Sequence, residues 1–226
     1  MTKAEQILFN LFSEPLHVID PAIPLDRYTE LDLSAGTTKL SGYDITDPIE
    51  CQAYVDETLN KSDALAAYGG YLEHRELYDS PNFNRESGPI RNIHLGMDFW
   101  APANTKVVVP WKGKVHSFRD NMVEGDYGPT IILEHSTPEL TFYSLYGHLS
   151  RGSLEGLHTG REFEKGETLA WLGAAEVNGN YTPHLHFQLI LDPGDFQGDY
   201  PGVCSQSTLK YYSKNCPNPN LLLKIG

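Results

Sequence analysis

The sequence has few cysteines and no long apolar run. Its three cysteines, Cys51, Cys204 and Cys216, are widely spaced among 226 residues. Such a set does not form a disulfide framework, although Cys204 and Cys216 could pair, and it lacks the C-x-x-C type spacing of a thiolate zinc site. No stretch approaches the length of a membrane span. These absences exclude a disulfide scaffold, a thiolate zinc site and a transmembrane protein.

Positive charge is also scarce. The chain has 17 basic and 30 acidic residues, for a net charge of −13. Because nucleic-acid binding needs a basic footprint and membrane-surface binding needs basic residues as well, we expect neither partner. The first residues do not resemble a signal peptide, since Glu5, Gln6, Asn10 and Glu14 interrupt their apolar positions. We therefore expect a cytoplasmic location, unless a leader has been removed.

What the sequence does contain favours strands and turns. It has 13 tyrosines, 20 glycines and 15 prolines. From residue 93 onward, short strand-forming runs are separated by turn signals. The predicted strands are 106–110, 113–119, 130–135, 141–149, 167–172 and 185–191. Because no long helix lies between them, the pattern predicts a mainly β fold with an antiparallel β-sandwich or barrel-like core.

The residues before this β region predict an N-terminal helical and irregular extension. Apolar residues at helical spacing predict a helix over 3–13. Residues 15–42 have no clear period, so we expect them to be extended and draped on the surface. A second helix is predicted over 47–68, with Asp47 as its cap and Pro48 at its first position. Its apolar side would hold Ile49, Tyr54, Val55, Leu59, Leu65 and Ala66.

A turn-rich loop and a C-terminal tail complete the predicted organisation. The loop, 71–93, contains Arg75, Arg85 and Arg91, and either lines a cleft or is solvated. We hypothesise that the extension caps the active groove. The tail ends in an apolar triplet, 221–223, which we expect to anchor an irregular wrap. The predicted parts are an extension at 1–90 that packs on the core, a β core at 91–192 and a C-terminal wrap at 193–226.

Two histidines, His184 and His186, stand two residues apart in a run that predicts a buried strand. Because successive strand side chains alternate between faces, both imidazoles point the same way. Neutral imidazole is a common zinc ligand. The same pattern is also typical of two hydrogen-bonded histidines on a half-exposed sheet, so the other histidines must distinguish the two interpretations.

Upstream, His94 and Asp98 are four residues apart. On an extended strand or on one helical turn, this spacing lets both side chains face one ion. With His186 they would form a set of two histidines and one carboxylate. That set leaves a fourth tetrahedral position for water, which is typical of catalytic zinc. His148 and His184 would then be available to move a proton and to stabilise the oxyanion during amide hydrolysis.

Three short motifs occur in a fixed order along this part of the chain. They are His94-x-Gly96-x-Asp98, Tyr146-Gly147-His148-Leu149 and Pro183-His184-Leu185-His186-Phe187. In this order they resemble the lysostaphin/LytM-type zinc metallopeptidases of peptidase family M23. The segment at 101–107 also resembles the A-P-x-G-T-x-V turn and strand of that family. The resemblance covers about residues 92–192.

The resemblance implies a set of roles for these residues. It implies Zn²⁺ as the cofactor, with His94, Asp98 and His186 as ligands and with His148 and His184 as unligated catalytic histidines. The implied fold is a small antiparallel β core of the LytM/lysostaphin type with its site in an open groove. The implied activity is endopeptidase cleavage of peptides from bacterial cell-wall cross-links, so a peptide or muropeptide is the expected partner.

Within the region that resembles the family, the chain departs from the family pattern at two places. Gln188 stands where a glutamate is common, and residues 174–182 are longer and more polar than the usual approach to the last motif. Neither departure affects an implied ligand. Three alternatives stay open: a catalytically silent binding or scaffold module, a zinc hydrolase acting on a non-peptide amide, and a lipoyl- or biotinyl-type carrier domain. For the carrier, Lys112 and Lys114 lack the required hairpin setting.

Overall fold

The computed structural model describes residues 1–78 and 89–226. Arg85 of the predicted cleft loop lies outside these residues. Within them, the strands are β1 (Tyr28–Glu30), β2 (Ala66–Gly69), β3 (Ile93–His94), β4 (Met97–Trp100), β5 (Lys106–Val108), β6 (Gly113–Asn121), β7 (Gly128–Ser136), β8 (Thr141–Gly147), β9 (Glu162–Phe163), β10 (Thr168–Trp171), β11 (His184–Ile190) and β12 (Val203–Cys204). The α-helices are α1 (Lys3–Asn10), α2 (Pro48–Ser62), α3 (Leu209–Asn215) and α4 (Asn220–Leu223). None of these helices combines the length and the apolar character that a membrane crossing requires.

One large sheet contains eight of the strands, in the order β1-β2-β4-β11-β8-β7-β6-β9. Its pairs are antiparallel except β1 with β2, which are parallel. The outermost strands β1 and β9 do not pair with each other, so the sheet is open rather than closed into a barrel. The small sheets β5–β10 and β3–β12 are both antiparallel. The predicted mainly β fold is confirmed.

The predicted core strands all appear, and their ends differ from the prediction by at most two residues. β11 lies between β4 and β8 near the middle of the sheet and is buried along its whole length. A strand buried on both faces is expected to be a nearly continuous apolar run. His184, His186 and Gln188 are the exceptions in β11, and their burial requires polar partners.

The predicted second helix divides into a helix and a strand. α2 begins as predicted, because the Asp47 side chain accepts hydrogen bonds from the first free N–H groups of the helix. It ends at Ser62, since Asp63 adopts a left-handed conformation with φ of 50°. The helix predicted over 63–68 is therefore wrong, and Ala66 lies in β2, whose backbone groups pair with β1 and β4. Ile49 is 80% exposed, so its predicted place on the apolar side is also wrong.

Residues 15–42 are not draped on the surface as predicted. Leu16 and Val18 are buried in the largest hydrophobic cluster of the protein. Leu31 is buried in a second cluster together with Trp100 of β4. Because prolines and short irregular turns interrupt this segment, its apolar residues show no period in the sequence although they fill the core.

The C-terminal segment also contributes to the core. Leu222 and Leu223 of the predicted anchor are buried in the same cluster as Leu16. β12 of the tail pairs with β3, as β2 of the extension pairs with β4. The division of the chain at residues 90 and 192 remains a prediction. Strands from both flanking segments nevertheless reach the neighbourhood of β3 and β4, where two of the implied ligands lie.

Candidate metal centre

Strand pairing brings three potential ligands to one point. β11 runs antiparallel to β4 with His186 directly opposite Asp98. His94, at the end of β3, is brought to the same place by the turn at Gly96. A Cβ atom at Gly96 would come within 2.6 Å of the His186 ring, so the close approach requires a glycine. The three side chains are at most 3% exposed.

The donor atoms of these side chains lie at the spacing of a metal site. His94 Nε2 is 2.8 Å from His186 Nδ1. Asp98 Oδ1 is 3.3 Å from the first nitrogen and 3.2 Å from the second. Tetrahedral zinc bonds of about 2.0–2.1 Å would place ligand atoms roughly 3.3 Å apart. Asp98 Oδ1 is buried and accepts no hydrogen bond of normal geometry from the described residues, so the donor set fits a zinc ion.

Hydrogen bonds on the far side of each imidazole assign its tautomer. His94 Nδ1 lies 2.9 Å from the Gly70 carbonyl oxygen, and His186 Nε2 lies 2.9 Å from Gln188 Oε1. Because these oxygens only accept, the facing nitrogens donate their N–H groups. Three lone pairs, on His94 Nε2, His186 Nδ1 and Asp98 Oδ1, therefore converge, and a cation between them would relieve their repulsion.

Arg75 pairs with the other oxygen of Asp98. Its Nη1 lies 2.7 Å from Asp98 Oδ2, and its Nε lies 2.6 Å from Glu73 Oε2. Burial alone would raise the pKa of Asp98, but His94 and the Arg75 guanidinium outweigh it and hold that pKa well below its usual range. The carboxyl is therefore ionised at neutral pH. Sequence reasoning placed Arg75 in a cleft-lining or solvated loop and missed this contact, because residues 75 and 98 share no motif.

His148 and His184 form a second pair of imidazoles beside the first set. Their ring centroids are 4.2 Å apart. His148 Nδ1 is 2.7 Å from the Asn178 carbonyl oxygen, and His184 Nδ1 is 2.7 Å from that of Thr182. Each Nδ1 therefore carries the proton and each Nε2 keeps a lone pair. Burial lowers the pKa of both groups, so both are neutral at neutral pH. His148 also has a positive φ of 61°, a conformation that is uncommon outside glycine.

Three aromatic residues that the sequence did not single out pack against this pair. Trp100 stacks on His184 with ring centroids 5.9 Å apart. Tyr181 meets His148 edge-on at 5.1 Å, and Tyr127 lies 5.5 Å from the same ring. The sequence carried one signal for Tyr181, since it lies within the polar segment that precedes the last motif. These rings fix the orientation of the imidazoles by packing.

A cavity of about 470 Å³ lies against all five side chains. Besides core residues, it is lined by Leu33 and Pro48 of the extension and by Tyr200 of the tail. Arg75 and Arg91 of the predicted cleft loop also line it, which favours the cleft interpretation over a solvated loop. The cavity is thus walled by segments on both sides of the β core in the sequence.

The three cysteines supply no thiolate to the centre. All three are free and buried, so Cys204 and Cys216 do not form a disulfide. Burial raises the pKa of the Cys216 thiol to about 12, and Gln188 Nε2 lies 3.3 Å from its sulfur. Cys51 lines the cavity, and burial raises the pKa of its thiol as well. Among the described residues, the side chains whose donor atoms could share one ion include no thiol, so the donor set is two imidazoles and one carboxylate.

Residues 92–196 match the model of peptidase family M23. Among solved structures, the chain is similar to a peptidase M23 candidate from Pseudomonas aeruginosa, with 22% identity, a TM-score of 0.40, and coverage of 59% of this chain and 44% of that one. It is also similar to a zinc-containing peptidase from Vibrio cholerae, with 25% identity, a TM-score of 0.37, and coverage of 47% of this chain and 29% of that one. The catalytic domain of the antimicrobial peptidase lysostaphin from Staphylococcus simulans is a third similar structure, with 20% identity, a TM-score of 0.36, and coverage of 54% of this chain and 80% of that one.

The matched region spans less than half the length of the Pseudomonas and Vibrio proteins. A comparison with curated proteins gives no match. The resemblance inferred from the three motifs is confirmed by the family model, whose match begins two residues before His94 and ends ten residues after His186.

Proposed function

Because residues 92–196 match the model of peptidase family M23, we propose that the chain is a zinc-dependent metallopeptidase. The observation that carries this proposal is the convergence of His94, Asp98 and His186. Their donor atoms lie between 2.8 and 3.3 Å apart, and one of them is a buried carboxylate oxygen that accepts no hydrogen bond from residues 1–78 or 89–226. The family match supports the peptidase class, and the donor set supports the metal.

The ligands would be His94 Nε2, Asp98 Oδ1 and His186 Nδ1. When bound at such a set, zinc acidifies a water molecule and polarises a carbonyl group. The chain orients the ligands from behind, since the Gly70 carbonyl and Gln188 Oε1 hold the protons of the two imidazoles away from the centre. Orientation of this kind raises the basicity of the ligating nitrogens and fixes the ring planes.

His148 and His184 are proposed to handle the proton of the reaction. Each donates its Nδ1–H to a backbone carbonyl and faces the cavity with a neutral ring, so Nε2 is the atom that accepts a proton. One imidazole would take the proton from the attacking water and return it to the leaving amine. The other would stabilise the negative charge on the substrate carbonyl oxygen only in its protonated form, in which Nε2–H donates a hydrogen bond to that oxygen. Proton transfer by a positioned histidine is worth about 10²–10⁴-fold in rate.

The proposed substrate is a short peptide. The cavity volume of about 470 Å³ lies in the range of small-ligand sites, about 300–1,000 Å³. Leu33 and Pro48 line it from the extension, which supports the hypothesis that the extension caps the groove and restricts it to small substrates. Because the resemblance implies cell-wall cross-links, short fragments of peptidoglycan peptides are the first class to test.

The test combines zinc content with hydrolysis of a series of muropeptide fragments. We expect the wild-type protein to hold stoichiometric zinc and to cleave short fragments faster than long ones. His184→Ala should keep the zinc and lose hydrolysis by about 10²–10⁴-fold. His158→Ala is the matched control, because His158 is exposed and does not line the cavity.

The alternative functions predict different results in the same experiment. A silent binding module would hold zinc and cleave no peptide of the series. A hydrolase of non-peptide amides would hold zinc, cleave small amides and leave the peptides intact, with the same dependence on His184. A wild-type protein that binds no zinc would contradict the proposal at its first step.

A further inference from the structure

Asp98 can serve as a ligand in the proposed function only if its carboxylate is turned so that one of its two oxygens faces the two imidazoles. A carboxylate turns about its last side-chain bond, whose rotational preference is broad. In this protein, Oδ2 lies 2.7 Å from Arg75 Nη1, and Oδ1 is the oxygen that faces His94 and His186. Both members of the ion pair are at most 2% exposed, so water does not compete for either. The Arg75 contact therefore selects the orientation of the carboxylate.

Arg75 is itself held from two further sides. Its Nε donates to Glu73 Oε2 at 2.6 Å, and Glu73 Oε1 accepts the backbone N–H of Leu33 at 3.0 Å. Its guanidinium carbon lies 5.9 Å from the centroid of the Trp100 ring, the ring that stacks on His184. A planar guanidinium bonds two carboxylates through a rigid fork of donors, whereas the three donors of an ammonium group rotate about one nitrogen and set no such geometry.

The backbone around Arg75 is joined to the strand that carries His94. The N–H of His94 donates to the Glu73 carbonyl, the N–H of Leu72 donates to the His94 carbonyl, and the N–H of Arg75 donates to the Asn92 carbonyl, each at 2.9 Å. The Gly70 carbonyl accepts the Nδ1–H of His94 at 2.9 Å. Residues 70–75 therefore contact two of the three implied ligands through backbone and side chain.

Gly70 shows how closely these groups are fitted. It has a positive φ of 100°, and a Cβ atom there would lie 2.0 Å from Arg75 Nη2 and 3.0 Å from His94 Nδ1. No side chain fits between the guanidinium and the imidazole. The chain thus passes directly behind the metal centre at this point.

We propose that Arg75 is a positioning residue that holds Asp98 Oδ1 toward the metal, and that residues 70–75 are a built-in part of the metal centre. This inference rests on the proposed function for its metal. The inference adds a supporting segment to the proposed metal centre, and this segment lies outside the region 92–196 that matches the family model. The M23-like region alone would lack the support behind two of its ligands.

Arg75 could instead weaken zinc binding, because its charge has the same sign as that of the metal. A buried positive charge next to a divalent cation repels it, so an arginine that acted on the metal only through its charge would weaken binding. Removing it would then tighten zinc binding. Removing a positioning contact has the reverse sign, typically a loss of about 10- to 100-fold in affinity. The direction of the change therefore separates the two roles.

The experiment measures zinc affinity by competition with a chromogenic chelator for the full chain and for Arg75→Met. We expect Arg75→Met to bind zinc about 10- to 100-fold more weakly, and Arg75→Lys to recover part of the loss, since an ammonium group keeps the positive charge but not the rigid fork of donors. Arg27→Met is the matched control. Arg27 also lies in the extension and pairs with a carboxylate, Asp63, but it is outside the cavity. The zinc affinity of Arg27→Met should therefore equal that of the wild type.

A second readout reports the ligand set itself. The visible absorption of cobalt(II) bound in place of zinc depends on ligand number and geometry. We expect the spectrum of Arg75→Lys to differ from that of the wild type, and that of Arg27→Met to be identical to it. Should Arg75→Met fail to fold, Arg75→Lys and Glu73→Gln answer the same question, since both keep a cation beside Asp98.

Unchanged or tighter zinc binding in Arg75→Met or Arg75→Lys would overturn the inference, as would an equal loss in Arg27→Met. These outcomes are separate from the fate of the proposed function. A protein that binds zinc and cleaves no peptide would disprove the peptidase while leaving the affinity comparison intact. Peptide cleavage with no effect at Arg75 would disprove the positioning role alone.

Discussion

His94 and His135 are equally buried, at 1% exposure each, and their surroundings lower the pKa of each from 6.5 to about 4, chiefly by burial. Their ring nitrogens are used differently. His135 has a partner at each nitrogen, the Lys112 carbonyl at 2.9 Å and the Ser144 hydroxyl at 2.6 Å. His94 Nδ1 faces the Gly70 carbonyl oxygen at 2.9 Å, whereas its Nε2 faces the lone pairs of His186 Nδ1 at 2.8 Å and Asp98 Oδ1 at 3.3 Å.

This comparison separates a packed histidine from a ligand. Burial and a lowered pKa are common to both residues, so neither property identifies the site. What distinguishes His94 is a set of acceptors that converge with no donor among them, an arrangement that costs free energy until a cation arrives. His135 is stacked on Trp111 and Phe142 and completes a satisfied polar network.

The largest expected effect comes from removing the charged acceptor of that set. In Asp98→Asn, an amide replaces the carboxylate, so the centre loses its only negative ligand and Arg75 loses its buried partner. We expect no stoichiometric zinc, no measurable hydrolysis, and a loss of stability of about 3–5 kcal/mol from the broken buried pair. Metal analysis and denaturant unfolding measure the two effects. His135→Gln should retain zinc, and if it does not, the distinction between the two histidines fails.

The next effect concerns the pair that does not bind the metal. His148→Ala removes a neutral imidazole whose Nδ1–H is held by the Asn178 carbonyl. We expect zinc content to remain stoichiometric while kcat falls by about 10²–10⁴-fold. Parallel loss of zinc would place His148 among the ligands and would contradict the assignment of roles.

The sequence predicts the residues of this site that lie in short motifs, and it does not predict those that are brought there by folding. His94, Asp98, His148, His184 and His186 lie in short motifs at strand ends, so alternation and spacing suffice to group them. Gly70 and Arg75 reach the centre through a pairing between residues 70–75 and β3, which no periodic pattern marks. The contact therefore becomes visible only in the folded chain.

The fold divides in the same way. The core strands were predictable because turn residues bracket each apolar run. β2 was mistaken for the end of a helix, since Ala66, Ala67 and Tyr68 are compatible with either state and only the neighbouring strand β4 decides between them. Residues 15–42 were mistaken for surface for a related reason, because their apolar side chains are buried individually by other segments.

The pH dependence of the free energy of unfolding tests whether the pKa of His135 is lowered in the folded protein. The unfolded chain takes up a proton at this histidine near pH 6.5 and the folded chain only near pH 4. Between these values the unfolded state binds more protons, so the contribution of His135 is complete above pH 6.5 and is lost as the pH falls toward 4. A shift of this size corresponds to about 3 kcal/mol.

We expect the difference in free energy of unfolding between wild type and His135→Gln to shrink by about that amount from pH 7 to pH 4. Denaturant titrations at several pH values, on protein stripped of metal, would measure it. A difference that stays constant with pH would mean that His135 titrates normally in the folded protein. In that case its network would be looser than the hydrogen-bond distances indicate.

The smallest expected effect is the loss of zinc affinity when the hydrogen-bond acceptor of His186 Nε2–H is removed. Gln188 Oε1 accepts the Nε2–H of His186 at 2.9 Å, while Gln188 Nε2 donates to the Pro201 carbonyl and lies 3.3 Å from Cys216 Sγ. Gln188→Leu keeps a side chain of similar size and removes the acceptor, so His186 no longer has its tautomer fixed. We expect zinc affinity to fall by about 10-fold, toward the lower end of the usual range for such supporting contacts.

Cys216→Ser is the matched control for Gln188→Leu, because it alters the far end of the same amide and leaves the acceptor in place. We expect its zinc affinity to stay close to that of the wild type. Equal losses in both variants would mean that packing of the amide, and not its acceptor, supports the ligand. His186 would then resemble His135 more closely than His94, and the ligand set would depend on the general rigidity of β11 instead of on a hydrogen bond directed at each imidazole.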